Sequence, residues 1–274
     1  MHEGSSSRPI RNTVLALLVA LTGSSHALQT GRIVPDVARE HRMAAEIVDA
    51  ILDGEPLQIG LPGNKAFLGI HTQSAMAPAK GIVVILHGRG MHPDWSDVVH
   101  PLRVGLPAFG WDTLSVQMPV LDKEAQYDDY VQIFPDAMPR IEAALTEARA
   151  LSSGKVVLLA HSCGSHMAQH WINARPALAA QLLDAFVGIG MGATDAGQPM
   201  REPFALGRLA VPMLDLYAEH DYRAVQRLAP ERLAAMRRGG HPLNVQRVVG
   251  DAGHYFVDRG DALTAAVADW LDRL

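Results

Sequence analysis

The chain has 274 residues, of which 48% are hydrophobic and 19% charged, with a formal net charge of −5. That supplies a sizeable core for one globular domain. Acidic residues are scattered, and no Lys/Arg cluster is interleaved with aromatics, which argues against a nucleic-acid surface.

Residues 1–27 read as a secretory signal peptide. Arg8 and Arg11 precede a short apolar run, Val14–Leu21, and the sequence GSS then breaks it. Ser25-His26-Ala27 places small residues at both cleavage-determining positions. The run is far shorter than the roughly 20 apolar residues that span a bilayer, so cleavage is expected rather than stable membrane insertion. No cysteine lies near the expected cleavage site, which argues against a lipoprotein. The mature chain is expected to start at Leu28 and to be exported, to a periplasm or beyond the cell. Cys163, the only cysteine, has no partner for an internal disulfide.

Within DVAREHRMAAEIVDAILDG, Asp36 caps a helix and Gly54 stops it, with Ala44, Ile47, Val48, Ile51 and Leu52 on one face. Strands at 57–61 and 66–72 flank the turn PGN and predict an antiparallel edge. GIVVILHG (81–88) is a β-branched run of the kind buried on both faces of a sheet. Helices at 97–109, 134–151, 163–174, 224–238 and 261–274 then alternate with strands at 112–117, 156–160, 185–190, 211–218 and 243–249. Such alternation means βαβ units and a mostly parallel sheet, an α/β fold, in a single domain over 28–274. The connection around 192–207 is longer than a usual loop but too short for a lid domain, so an open site is expected.

The stretch LLAHSCGSHM (158–167) carries the sharpest chemical signal. A serine hydroxyl is a poor nucleophile unless it is held clear of the sheet beside a base. A tight strand–turn–helix elbow does this, and it demands small residues two before and two after the nucleophile. Around Ser162 these are Ala160, in place of the usual glycine, and Gly164. HGRG (87–90) follows the first buried strand, so the backbone N–H groups of Arg89 and Cys163 are the expected pair for an oxyanion. Asp221 falls just past the end of a strand, where ligand chemistry gathers in open parallel sheets. Asp215 lies inside that strand, and Glu219 is the fallback. His254, on a glycine-flanked loop after the last strand, is the expected base. The chain order Ser162, Asp221, His254 is that of the Ser–Asp–His hydrolases of this architecture. His87 and His161 read as loop supports.

The segments ILHGRG, AHSCGSHMA, LYAEHD and AGHYF resemble successive signatures of the α/β-hydrolase superfamily. HGRGMHPDW with GWDTLSVQMP also resembles a bacterial family of exported α/β-hydrolase-like proteins of unassigned function. The resemblance implies a largely parallel eight-stranded sheet with helices on both faces. It further implies hydrolysis of esters or related small acyl compounds without a cofactor. Ala160 and Ala218, where glycines are common, depart from its pattern.

His166 and His170 have the i,i+4 spacing of zinc proteases, but Met167 stands where the glutamate belongs, so no metal is expected. The useful group of Cys163 is its N–H rather than its thiol. Trp95 and Met191 are expected to line a substrate pocket, and Arg89 is placed to meet an anionic substrate. Two rival classes share these features: a non-catalytic binding protein on the same fold, and an acyltransferase or peptidase using the same three side chains.

Overall fold

In the computed structural model, which describes residues 1, 2, 4 and 32–274, the run GIVVIL forms a fully buried strand, β3 (Gly81–Leu86). Its side chains alternate: Ile82, Val84 and Leu86 enter one apolar cluster, Val83 and Ile85 another. A strand covered on both faces leaves no position for a polar side chain, which is why the run is continuous. The expected signal peptide, but for three residues, lies outside the described residues.

Around β3 the chain builds eight strands: β1 (Glu55–Leu61), β2 (Lys65–Thr72), β4 (Trp111–Val116), β5 (Lys155–His161), β6 (Ala185–Ile189), β7 (Met213–His220) and β8 (Val245–Gly253) complete the set. They lie in the order β1-β2-β4-β3-β5-β6-β7-β8. β1 and β2 run antiparallel to their neighbours, and every other pairing is parallel. Helices α4 (Phe134–Leu151), α5 (Cys163–Ala174) and α7 (Arg223–Gly239) cover one face, contributing Phe134, Ile141, Trp171 and Met236 to its core. Helices α2 (Val99–Gly105) and α8 (Gly260–Leu271) cover the other, with Leu102, Leu263, Val267 and Trp270. This is the expected α/β architecture. All these elements belong to one compact unit, Ile33–Leu274. Among the described residues no helix is long and apolar enough to cross a membrane.

Helix α1 (Val37–Ala50) is capped as expected, with the Asp36 carboxylate accepting from the Arg39 amide at 2.9 Å. Its packing differs from the predicted face. Ile47 is buried, but Val48 and Leu52 are 42% and 95% exposed, while Glu40 is buried. The helix ends at Ala50, so Leu52 lies outside it, and Glu40 turns inward because Arg140 of α4 meets it at 2.8 Å. The predicted helix over 97–109 is shorter, and a 3₁₀ turn at Leu106–Phe109 carrying Pro107 replaces its end. Two short helices were not anticipated, α3 (Tyr127–Val131) and α6 (Pro176–Leu182).

Asp215 of β7 and Arg232 of α7 form an ion pair at 2.8 Å in which both side chains are fully buried. Gln246 of β8 donates to the same carboxylate, and Arg232 also donates to the carbonyls of Met191 and Val225. The pair thus ties α7 to β7 and to the loop leaving β6 through Arg232, and to β8 through the Asp215 carboxylate. Removing a partner from such a pair strands a buried charge. Arg232→Met should therefore lower stability by about 3–5 kcal/mol, read as an earlier urea midpoint. An unchanged midpoint would show that the pair holds nothing together.

Candidate active site

Ser162 sits between β5 and α5 with φ 53° and ψ −119°, a backbone state that costs a non-glycine residue about 1–3 kcal/mol. The neighbours hold it there. Its amide donates to the Ile189 carbonyl at 2.9 Å, and Ser165 Oγ donates to the Ala160 carbonyl at 2.9 Å. At position 164 a Cβ would lie 2.5 Å from the His87 carbonyl oxygen and 2.9 Å from that of Leu86, so only glycine fits. Ala160 is fully buried, in register with Leu86 and Gly188, and its methyl is accommodated.

The other two residues arrive from the ends of adjacent strands. Asp221 directly follows β7 and His254 directly follows β8. His254 Nε2 is 2.8 Å from Ser162 Oγ, and His254 Nδ1 is 2.6 Å from Asp221 Oδ1. A carboxylate can only accept, so Nδ1 carries the proton and the Nε2 lone pair faces the hydroxyl. Burial pushes the Asp221 carboxyl up. Hydrogen bonds from His254 and from the amides of Ala218 and Tyr222 outweigh that and hold it below the ordinary carboxylate range. Gly190 has φ 59°, and a Cβ there would lie 2.8 Å from His254 Cε1, so this glycine clears the space for the ring. Glu219 instead accepts from the exposed Asp251 amide, and Asp215 is consumed by Arg232.

Rings box His254. Tyr222 stacks on it at 4.2 Å and 19°, Tyr255 meets it edge-on at 5.1 Å, and His161 lies at 5.0 Å. His161 Nε2–H donates to the His254 carbonyl at 3.1 Å. His87 Nδ1–H donates to the Gly88 carbonyl at 2.8 Å while its Nε2 accepts from the Met118 amide at 2.9 Å. Both imidazoles thus serve as loop supports.

The loop carrying Arg89 is also held from outside the sheet. Arg39 of α1 donates to the Gly90 carbonyl at 3.2 Å and to the Leu121 carbonyl. Glu40 accepts from the Val120 amide and from Arg140, which donates in turn to the Gln117 carbonyl. The N-terminal helix therefore fixes the two loops that follow β3 and β4. Cys163 is the first residue of α5, so its amide has no acceptor within the helix. Its thiol is pushed up to about 12 by burial and stays protonated.

Ser162 and Cys163 open into a narrow cleft, continuous with solvent, whose walls include Arg89, Met91, Tyr127, Asp195, Tyr222 and Tyr255. The expected pocket residues Trp95 and Met191 are not among them. Positive φ at Gly190 and Gly192 turns Met191 into the core, where it is 1% exposed. Trp95 packs instead against the cluster on the α2/α8 face and edge-on to His92. Tyr222 and Tyr255 each follow a motif residue and were legible in principle from that adjacency. Tyr127 opens the short helix α3 and Asp195 lies on the connection after β6, and neither left a local signal. Arg89 is not free for an anion: both its terminal nitrogens bind Asp195, which also accepts from the Tyr127 amide.

The segment 192–207 is tied down along its length. Ala193 accepts from His166 at 2.9 Å, Gln198 accepts from the Asp128 amide, Arg201 pairs with Asp128, and Glu202 meets His170 at 2.6 Å. Those contacts occupy both histidines of the i,i+4 pair. Among the described residues no cluster could hold a metal ion.

Three imidazoles around the site are buried and neutral. Burial pushes His87 and His161 down to about 3 and His166 down to about 4. An unfolded chain protonates its histidines near pH 6.5, so between there and pH 4 the unfolded state holds up to three more protons at these positions. Their contribution is intact above pH 6.5 and lost as pH falls, with a slope approaching about 4 kcal/mol per pH unit. Urea midpoints measured from pH 7 down to about pH 5 should drop steeply; a flat series would contradict neutral burial.

A family model described as "Protein of unknown function (DUF3530)" matches residues 22–131, less than half of the chain and ending before Ser162. No curated protein matches. Among solved structures, an alpha-beta serine hydrolase homologue from Coxiella burnetii is 18% identical, with a TM-score of 0.59, covering 80% of this chain and 98% of that one. Dienelactone hydrolase from Anabaena variabilis is 19% identical, with a TM-score of 0.60 and coverage of 81% and 97%. An α/β serine hydrolase without lid from Xanthomonas campestris is 13% identical, with a TM-score of 0.56 and coverage of 81% and 95%. With its strand order and its layers of helices, the chain has the α/β-hydrolase fold.

Proposed function

We propose that the protein is an exported serine hydrolase acting on esters or related acyl compounds through an acyl-enzyme. One observation carries the reading: a strained serine whose hydroxyl lies 2.8 Å from an imidazole that a buried carboxylate orients at 2.6 Å. Fold likeness alone does not assign chemistry. Dienelactone hydrolase and the serine hydrolases share the architecture, and the site residues supply the argument.

In this mechanism Ser162 Oγ attacks the acyl carbonyl as its proton passes to His254 Nε2, forming a tetrahedral oxyanion. Asp221 stabilises the imidazolium without taking its proton. The amides of Arg89 and Cys163 are the donors assigned to the oxyanion; losing such a donor costs about 3–4 kcal/mol in the transition state. His254 returns the proton to the leaving alcohol, leaving Ser162 acylated. Water, activated by the same imidazole, then releases the acid and restores the serine. No cofactor enters these steps. Export rests on the sequence of residues 1–27.

Fluorophosphonate should label Ser162, and Ser162→Ala should abolish labelling and cut nitrophenyl ester turnover by about 10⁴- to 10⁶-fold. An unlabelled protein, or an alanine variant with wild-type turnover, would end this reading. Matched nitrophenyl esters and anilides then separate esterase from peptidase.

The ring of Tyr222 is a positioning element, since its face both holds the imidazole and stabilises the cation formed in the first step. Tyr222→Phe should keep kcat within about twofold, whereas Tyr222→Leu should lower it about tenfold with little change in KM. Equal kcat for the two variants would dismiss the stack.

A further inference from the structure

The Ser162 cleft does not end at its own walls. Thr194, Asp195 and Tyr222 border it and also border a second, shallower groove with about 930 Å³ of space, open to solvent. The far side of that groove is the start of α7, which presents Arg223 and Arg227. Residues four apart share a helix face, so the two guanidinium groups serve the same opening. Both residues are exposed, and neither has an ion-pair partner among the described residues. Asp195 is the sole acid lining the groove, and its charge is already matched by Arg89. Glu219, at the neighbouring end of β7, directs its carboxylate to the Asp251 amide, and only its carbonyl reaches α7, through Gln226. Two exposed cations without an ion-pair partner among the described residues therefore flank the exit of the nucleophile cleft, with Glu231 one turn beyond Arg227 on α7, on a chain whose net charge is −5.

We infer that Arg223 and Arg227 form a subsite for an oxyanion, a carboxylate or phosphate, carried at the far end of a substrate whose ester group lies at Ser162. The reading deepens the hydrolase assignment and rests on it. A guanidinium fork matches the geometry of either oxyanion and is always charged. Asp195 and Tyr222 form the shared ridge over which the connecting arm passes. The substrate class is then an ester with a remote negative charge, not a neutral lipid.

The test compares the mono-4-nitrophenyl ester of octanedioic acid with its neutral methyl-capped counterpart. For the wild-type chain, kcat/KM should favour the acid by about tenfold, and raising NaCl from about 0.05 to about 0.5 M should shrink that preference. In Arg223→Gln/Arg227→Gln the ratio should fall to within about twofold of unity, with an unchanged melting temperature. Octanedioate and octyl phosphate, run as inhibitors of neutral ester hydrolysis, identify the preferred oxyanion. Turnover of both esters without a preference, or a preference that survives in the double variant, overturns the subsite while leaving the hydrolase reading intact. If neither ester is hydrolysed and Ser162 takes no fluorophosphonate, the hydrolase reading fails. Calorimetric binding of octanedioate to wild-type and double-variant protein then judges the subsite alone: weaker binding to the variant supports it, and equal or absent binding to both overturns it.

Discussion

The structure turns on how closely the start of α5 approaches the end of β3. A Cβ at position 164 would sit 2.5 Å from the His87 carbonyl oxygen, so the two segments touch backbone to backbone. No side chain intervenes to relax the turn, and Ser162 is left with a positive φ that a larger turn would have relieved. The same contact brings Arg89 and Cys163 to one cleft with Ser162. Strain at one residue and the placement of its neighbours are thus consequences of a single steric constraint.

Around that contact the protein invests buried polar groups rather than flexible loops. His87, His161 and His166 are each held by a backbone carbonyl, and in a low-dielectric setting such hydrogen bonds are costly to leave unmade. They define where the loops after β3, β6 and β8 lie. The N-terminal helix belongs to the same scheme. Through Arg39 and Glu40 it grips the backbone near Gly90 and Val120, and the unassigned family match covers this clamp rather than the serine, aspartate or histidine.

The cleft combines a ring-lined imidazole with an arginine–aspartate pair among its walls. Asp195 ties Arg89 to the first amide of α3, so the loop after β6 is anchored beside Ser162.

Residues close in sequence to a strand end were legible without coordinates. The β-branched run of β3, the small residues around Ser162, and Asp221 and His254 just beyond their strands all follow from period-2 burial and from the demands of a tight turn. These are local rules, and local rules survive translation from sequence to fold. Pocket walls are not local. Whether Met191 faced the cleft or the core depended on positive φ at the two glycines beside it, and whether Arg89 was free depended on Asp195, more than a hundred residues away. Glu40 is held inside the protein by Arg140 of α4, a partner that spacing within α1 does not reveal. The chain by itself determined the sheet, the elbow and the order of its polar residues. Only tertiary packing decided which side chains share a cavity, because that depends on distances between segments that sequence spacing does not encode.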